Sequence, residues 1–152
     1  MNRFFAPLFM VLAAALLLAP PADARSAVKA DGWGPGSSYG AMYDASSVET
    51  VTGRVVSIDS FTPPGARYSG VRVNLATSLG LLEVHLGPDW FIDNQDFSIE
   101  AGDTMEVRGS RVEYRGGNAL MADRVRKGEK DVLLRDARGI PYWQHYGRHL
   151  MK

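Results

Sequence analysis

The chain has 152 residues and not one is cysteine. That single absence excludes disulfides, zinc–thiolate centres, thioether-linked haem and a lipidated cysteine anchor. An oxidising compartment permits disulfides without requiring them, so the lack of cysteine is compatible with export. The chain also lacks an excess of charge, with 17 basic and 17 acidic residues. Affinity for nucleic acid comes largely from phosphate neutralisation, and a dedicated binder shows a basic surplus that is missing here. Beyond the first two dozen residues there is no apolar run of the roughly 20 residues that a membrane-spanning helix needs. No glycine occurs between Pro88 and Ala101, so the oxygen-rich stretch Asp93, Asn94, Asp96 and Glu100 has no residue for the sharp turn of a calcium loop. No serine sits in a strand–turn–helix elbow, and no histidine–acid spacing marks a nucleophilic site. These absences point away from an enzyme, and no cofactor is called for.

What is present begins with a leader. Met1–Ala24 has Arg3 near its start, an apolar stretch from Phe4 to Ala19 interrupted by Pro7, and the small-x-small site Ala22-Asp23-Ala24. This reads as a signal peptide, and predicts a periplasmic or secreted product cleaved near Ala24. Residues 25–47 form a Gly/Ser-rich arm with Trp33, Tyr39 and Tyr43 interspersed. Three aromatic rings in so short a stretch predict that the arm packs back on the domain, with docking on a partner as the alternative. Residues 48–128 read as a small barrel and 129–152 as a C-terminal hairpin and tail.

Within the barrel, Glu49–Asp59 alternates through Val51, Gly53 and Val55, then slips to Val56 and Ile58. A slip beside a glycine predicts a bulge in a sharply coiled first strand. Pro63-Pro64-Gly65 breaks the ladder. Gly70–Ala76 and Leu81–Gly87 alternate cleanly about Thr77-Ser78-Leu79-Gly80, a hairpin with Val73, Leu75, Leu82, Val84 and Leu86 inward. Pro88–Gln95 fits one or two helical turns, with Trp90 and Phe91 plugging a barrel end. Thr104–Ser110, extending toward Tyr114, and Ala119–Arg126 are joined by the turn Arg115-Gly116-Gly117-Asn118. Met105 and Met121 are core by alternation. Val132–Arg135 against Ile140–Trp143 predicts a further hairpin turning at Asp136–Gly139.

The order of strand, strand, strand, helical turn, strand, strand carries a resemblance. So does the phrase Glu100-Ala-Gly-Asp-Thr-Met-Glu-Val-Arg-Gly-Ser110 followed by Asn118-Ala-Leu-Met-Ala122. Together they resemble the small exported bacterial OB-fold proteins of unknown function. The resemblance implies an all-β, five-stranded OB-like Greek-key barrel, with a short helical turn between strands three and four and the extra C-terminal hairpin. It implies a binding module more than a catalyst, using the face of strands two and three and the flanking loops. Carried onto this chain, the ligand-binding residues would be Arg67, Tyr68, Arg72, Asn74, His85 and Arg115, with Glu83 on the same face and Phe61 in the loop.

Three functional readings remain open at this point. The first is a non-enzymatic accessory module whose partner is an envelope protein or polymer, docking through Trp33, Tyr142 and Trp143. The second is a single-stranded nucleic-acid binder. Against it, strands two and three present no outward aromatic for a base to stack on, a contact worth about 1–3 kcal/mol per base. The third is a metal site at His145 and His149, which a helix would bring to one face. Charge is also segregated: seven acids and no Lys or Arg lie from Glu83 to Glu106, and seven bases against three acids from Arg108 to Lys130. Cross-strand pairing is the ordinary explanation and a polar groove the sharper one.

Overall fold

A computed structural model describes residues 32–146 of the chain. The leader Met1–Ala24, the first residues of the arm and His149 lie outside the described residues. A short 3-10 turn at Gly40–Met42 precedes six strands: β1 (Val48–Phe61), β2 (Gly70–Thr77), β3 (Gly80–Pro88), β4 (Thr104–Tyr114), β5 (Gly117–Lys127) and β6 (Lys130–Leu133). Two single-turn helices complete the chain, α1 (Asp89–Ile92) between β3 and β4 and α2 (Trp143–Tyr146) after β6. One sheet runs in the order β3-β2-β1-β4-β5-β6, and a parallel pairing of β3 with β5 closes it into a ring. The strand path 1-2-3-5-4-1, with a helical turn between the third and fourth strands, is that of an OB-like Greek-key barrel.

Alternation decides which side chains fill the ring. Val73, Leu75, Leu82, Val84 and Leu86 from the β2–β3 hairpin meet Met105, Val107, Leu120 and Val125, each at most 5% exposed. Burying a large aliphatic side chain stabilises by about 1.5–3 kcal/mol, so these layers supply much of the fold's driving force. Phe91 and Ile92 of α1 are buried against them, while Trp90 stays half-exposed. The end plug is therefore Phe91 and Ile92, one residue on from the expected pair.

Three ladders slip register, and each slip re-aims a side chain. In β1 the shift falls between Val55 and Ser57, where the glycine-adjacent slip predicted it. The expectation that Val56 and Ile58 would turn into the core is not met: they are 50% and 41% exposed. The reason is topological. Pairing of β1 with β4 ends at Arg54, so beyond the bulge β1 is held by β2 alone and no opposing layer covers it. A second slip, between Val71 and Arg72 opposite β3, follows His85. The third, between Arg108 and Gly109 opposite β5, turns Asp123 away from its regular place in the strand.

The C-terminal part differs from the hairpin read in the sequence. Lys130–Leu133 pairs with Arg124–Lys127 as a sixth strand of the sheet, turning at Gly128-Glu129. The expected reversal at Asp136–Gly139 is present but short, with one bridge from Arg135 to Pro141 and hydrogen bonds from Asp136 N to Ile140 O and from Tyr142 N to Leu134 O. Opposite charges pair across the last strands: Arg126 with Glu106, Arg124 with Asp131, Lys127 with Asp103 and Lys130 with Asp96. No helix among the described residues is long and apolar enough to cross a membrane.

Candidate functional site

The face of β2 and β3 presents Arg72, Asn74, Glu83 and His85, as alternation requires, but it is not open. The arm folds over it. Tyr39 is 2% exposed and Trp33 1%, and both lie against rings from the barrel. Gly70 makes this possible: a Cβ there would stand 2.2 Å from Cη2 of Trp33. Gly87 does the same for Trp143, whose ring atoms would lie 2.8 Å from its Cβ. Trp143 then donates its Nε1–H to the Trp33 carbonyl at 3.1 Å, and Trp33 donates to the Tyr68 carbonyl at 2.8 Å.

His85 is the centre of this region. It is 2% exposed, tilted against Phe61 at 4.3 Å between centroids, edge-on to Tyr114 at 4.8 Å and stacked with Tyr39 at 5.8 Å. Both ring nitrogens are engaged. Glu83 stands 2.7 Å from Nε2, and the Tyr39 hydroxyl 2.9 Å from Nδ1. A carboxylate can only accept, so Nε2 carries the proton, and Tyr39 donates to Nδ1. Burial is the largest influence on the ring and lowers its pKa, against the raising effect of Glu83. Burial likewise pushes the Tyr39 hydroxyl far above the ordinary phenol value. The arrangement is a hydrogen-bonded chain, from the buried Tyr39 and His85 to the half-buried carboxylate of Glu83.

The remaining sequence-predicted residues do not all gather at His85. Arg72 stands opposite His85 in the ladder and pairs with Glu83 at 3.4 Å. Asn74 donates to Ser57 Oγ at 2.9 Å and to Asp59 Oδ2 at 3.0 Å. Arg115, at positive φ in the β4–β5 turn, lies 5.2 Å over the Tyr114 ring. Arg67 lies 5.8 Å over Tyr68, and both are exposed. Phe61, placed in a loop by the sequence reading, ends β1 and is buried. Trp33 and Trp143 are buried at 1% and 3%, and Tyr142 is half-buried. His145 is exposed on α2, apart from His85. Among the described residues, no group of three or more histidine and acidic side chains is arranged to hold a metal ion.

Sequence reasoning missed two participants. Asp123 is 2% exposed and accepts from Arg108 through Nη2 at 2.8 Å and from the Tyr43 hydroxyl at 3.0 Å, while its carbonyl receives Leu134 N and Arg135 N. The signal was an acid directly after the apolar run Ala119–Ala122. Arg135 is 5% exposed, with its guanidinium 4.7 Å from the Tyr43 ring and 5.0 Å from that of Trp143. Burial lowers its pKa, partly opposed by Tyr39, Tyr43 and Asp123. Together Asp123 and Arg135 fasten the arm's second half as Trp33 fastens its first.

No curated protein matches the chain in sequence. A family model does match residues 47–132, which is the ring from the start of β1 into β6 and more than half of the 152 residues. The arm and the segment from Arg135 to Trp143, which close over the β2–β3 face, lie outside that match. On this match the chain belongs to the MamS/MamX magnetosome protein family.

Proposed function

We propose that this chain is an exported, non-enzymatic β-barrel module that serves the magnetosome as a binding or accessory component. The observation that carries the reading is the family match across the whole ring, 47–132. The family's name associates its members with the magnetosome, and the leader read at Met1–Ala24 provides the route across a membrane. A binding role is supported by the chemistry of the ring. Its acids and bases pair across the strands, and His85, the one histidine on a strand among the described residues, is locked between two partners and packed against three aromatic rings. Single-stranded nucleic acid fits this surface less well. Of the two rings near the face that could stack on a base, Phe61 is buried and only Tyr68 is exposed.

The test is fractionation of a magnetosome-forming bacterium that expresses the full chain with a C-terminal tag. The expected result is a shortened product, beginning near Arg25, that travels with the magnetosome fraction. A full-length product confined to the cytosol would overturn both the export and the magnetosome assignment.

A further inference from the structure

The closed face is not evenly matched to what closes it. Arg72 and Arg115 flank the ring cluster, Arg72 opposite His85 in the ladder and Arg115 over the Tyr114 ring, with the acids Glu83 and Asp59 beside them. Two polar atoms of this cluster, Arg72 Nε and Tyr114 Oη, are buried without a hydrogen-bond partner. Leaving such atoms unpaired is unfavourable, and natural structures tolerate few of them. Both belong to residues that flank His85, Arg72 across the ladder and Tyr114 edge-on at 4.8 Å. The covering segment fills the space for a ring with Tyr39 but brings no charge, since residues 32–43 contain no acid and no base. An uncharged cover therefore lies on a face that holds two arginines and two buried donors in want of an acceptor.

The cover is also braced internally. Ser37 Oγ lies 2.8 Å from Gly32 O and 2.7 Å from Gly34 O, and accepts from Gly40 N at 2.9 Å. These bonds make residues 34–40 a preformed turn, rich in glycine, slung between two anchors. Trp33 holds one end on Trp143 and Tyr68, and Tyr43 holds the other on Asp123. Between the anchors, the polar tie to the barrel is the hydrogen bond from Tyr39 to His85.

We propose that residues 34–40 are a displaceable strap over a peptide-docking face, and that the partner it yields to is an extended acidic segment carrying an aromatic ring. The partner's ring takes the place of Tyr39 between Phe61, His85 and Tyr114. Its carboxylates meet Arg72, Arg115 and the Tyr114 hydroxyl, which the strap leaves unsatisfied. This rests on the binding-module reading and names the ligand for it.

The probe is a fluorescent peptide, Gly-Asp-Tyr-Glu-Gly, and its control is the same peptide with Asn and Gln for the acids. Binding to the full chain is followed by anisotropy. Ser37→Ala loosens the strap without touching the face and tightens binding of the acidic peptide by about five- to tenfold, the factor one ordinary hydrogen bond supplies. Tyr39→Ala does the same by vacating the ring site, and serves alone if the Ser37 variant does not fold. Arg72→Gln combined with Arg115→Gln loses the gain, and the amide peptide never shows it. Equal binding of acidic and amide peptides, or no tightening in whichever strap variants fold by circular dichroism, overturns the proposal. Failure of the fractionation experiment with the peptide result intact would remove the magnetosome assignment alone.

Discussion

Replacing Gly70 with alanine tests the packing of the arm directly. The added methyl would stand 2.2 and 2.4 Å from two carbons of the Trp33 ring and 2.5 Å from the Gly87 carbonyl oxygen. Ordinary contacts between heavy atoms lie at about 3.5–4.0 Å, so the indole must retreat by more than an ångström. It has nowhere to go, being edge-on to Tyr39 and Phe61 at 5.4 Å each and to Trp143 at 6.3 Å. Overpacking of this kind costs about 1–3 kcal/mol. The upper bound is expulsion of the ring, about 3–5 kcal/mol by analogy with truncating a buried tryptophan. We expect a loss of about 3 kcal/mol, read as a fall in Tm of about 10 °C in calorimetry. The decisive comparison is a double-mutant cycle with Trp33→Ala. Once the indole is gone, Gly70→Ala retains only the conflict with the Gly87 carbonyl, so the two changes together cost less than their sum by about 1–2 kcal/mol. Strict additivity, or a Gly70→Ala protein as stable as the parent, would refute the seating of Trp33 on β2.

Three further outcomes follow from the same region. Stability should fall on acidification because of His85: burial depresses its pKa in the folded chain, so its contribution is complete above the unfolded value of about 6.5 and is lost as pH drops through the depressed one. Urea unfolding between pH 7.5 and 5 measures this, with a slope of at most about 1.4 kcal/mol per pH unit, and His85→Asn should flatten that slope. Asp123→Ala should destabilise by about 1–3 kcal/mol, since it strips the Tyr43 hydroxyl and Arg108 of a buried acceptor, and denaturant midpoints would show it. Leu79→Ser, at a hairpin tip that is 94% exposed, should change stability by less than about 0.5 kcal/mol in the same assay.

The parts legible in the sequence are those governed by neighbours in the chain. The β2–β3 hairpin follows from strict alternation on either side of Thr77-Ser78-Leu79-Gly80, and the β1 bulge from one slipped valine beside Gly53. The sixth strand was harder to see because Lys130–Leu133, three exposed residues and one half-buried valine, carry almost no periodicity. Its surviving signal is the glycine at Gly128, which takes positive φ in the turn. The side of the sheet to which His85 belongs was equally readable, but its burial was not. Burial there depends on Tyr39, 46 residues earlier, and on Phe61 and Tyr114 from two other strands. Alternation tells a side chain's face and is silent on whether a distant segment lies over it. Asp123 shows the same limit, since a bulge turns its carboxylate toward an arm 80 residues away.

The contact between Trp33 and Trp143 joins residues 110 positions apart, near the two limits of the described chain. A chain growing from its N-terminus makes Trp33 early and must complete nearly everything else before Trp143 exists. Until then the indole, though seated on β2, lacks the ring that packs on its edge, and the carbonyl of Trp33 lacks its donor. Closure is therefore the last act of folding rather than the first, and a high-contact-order ring of this kind pays the loop entropy before it gains the seal. The protein is finished from its far end backward, and the first aromatic residue of the described chain is among the last to find its place.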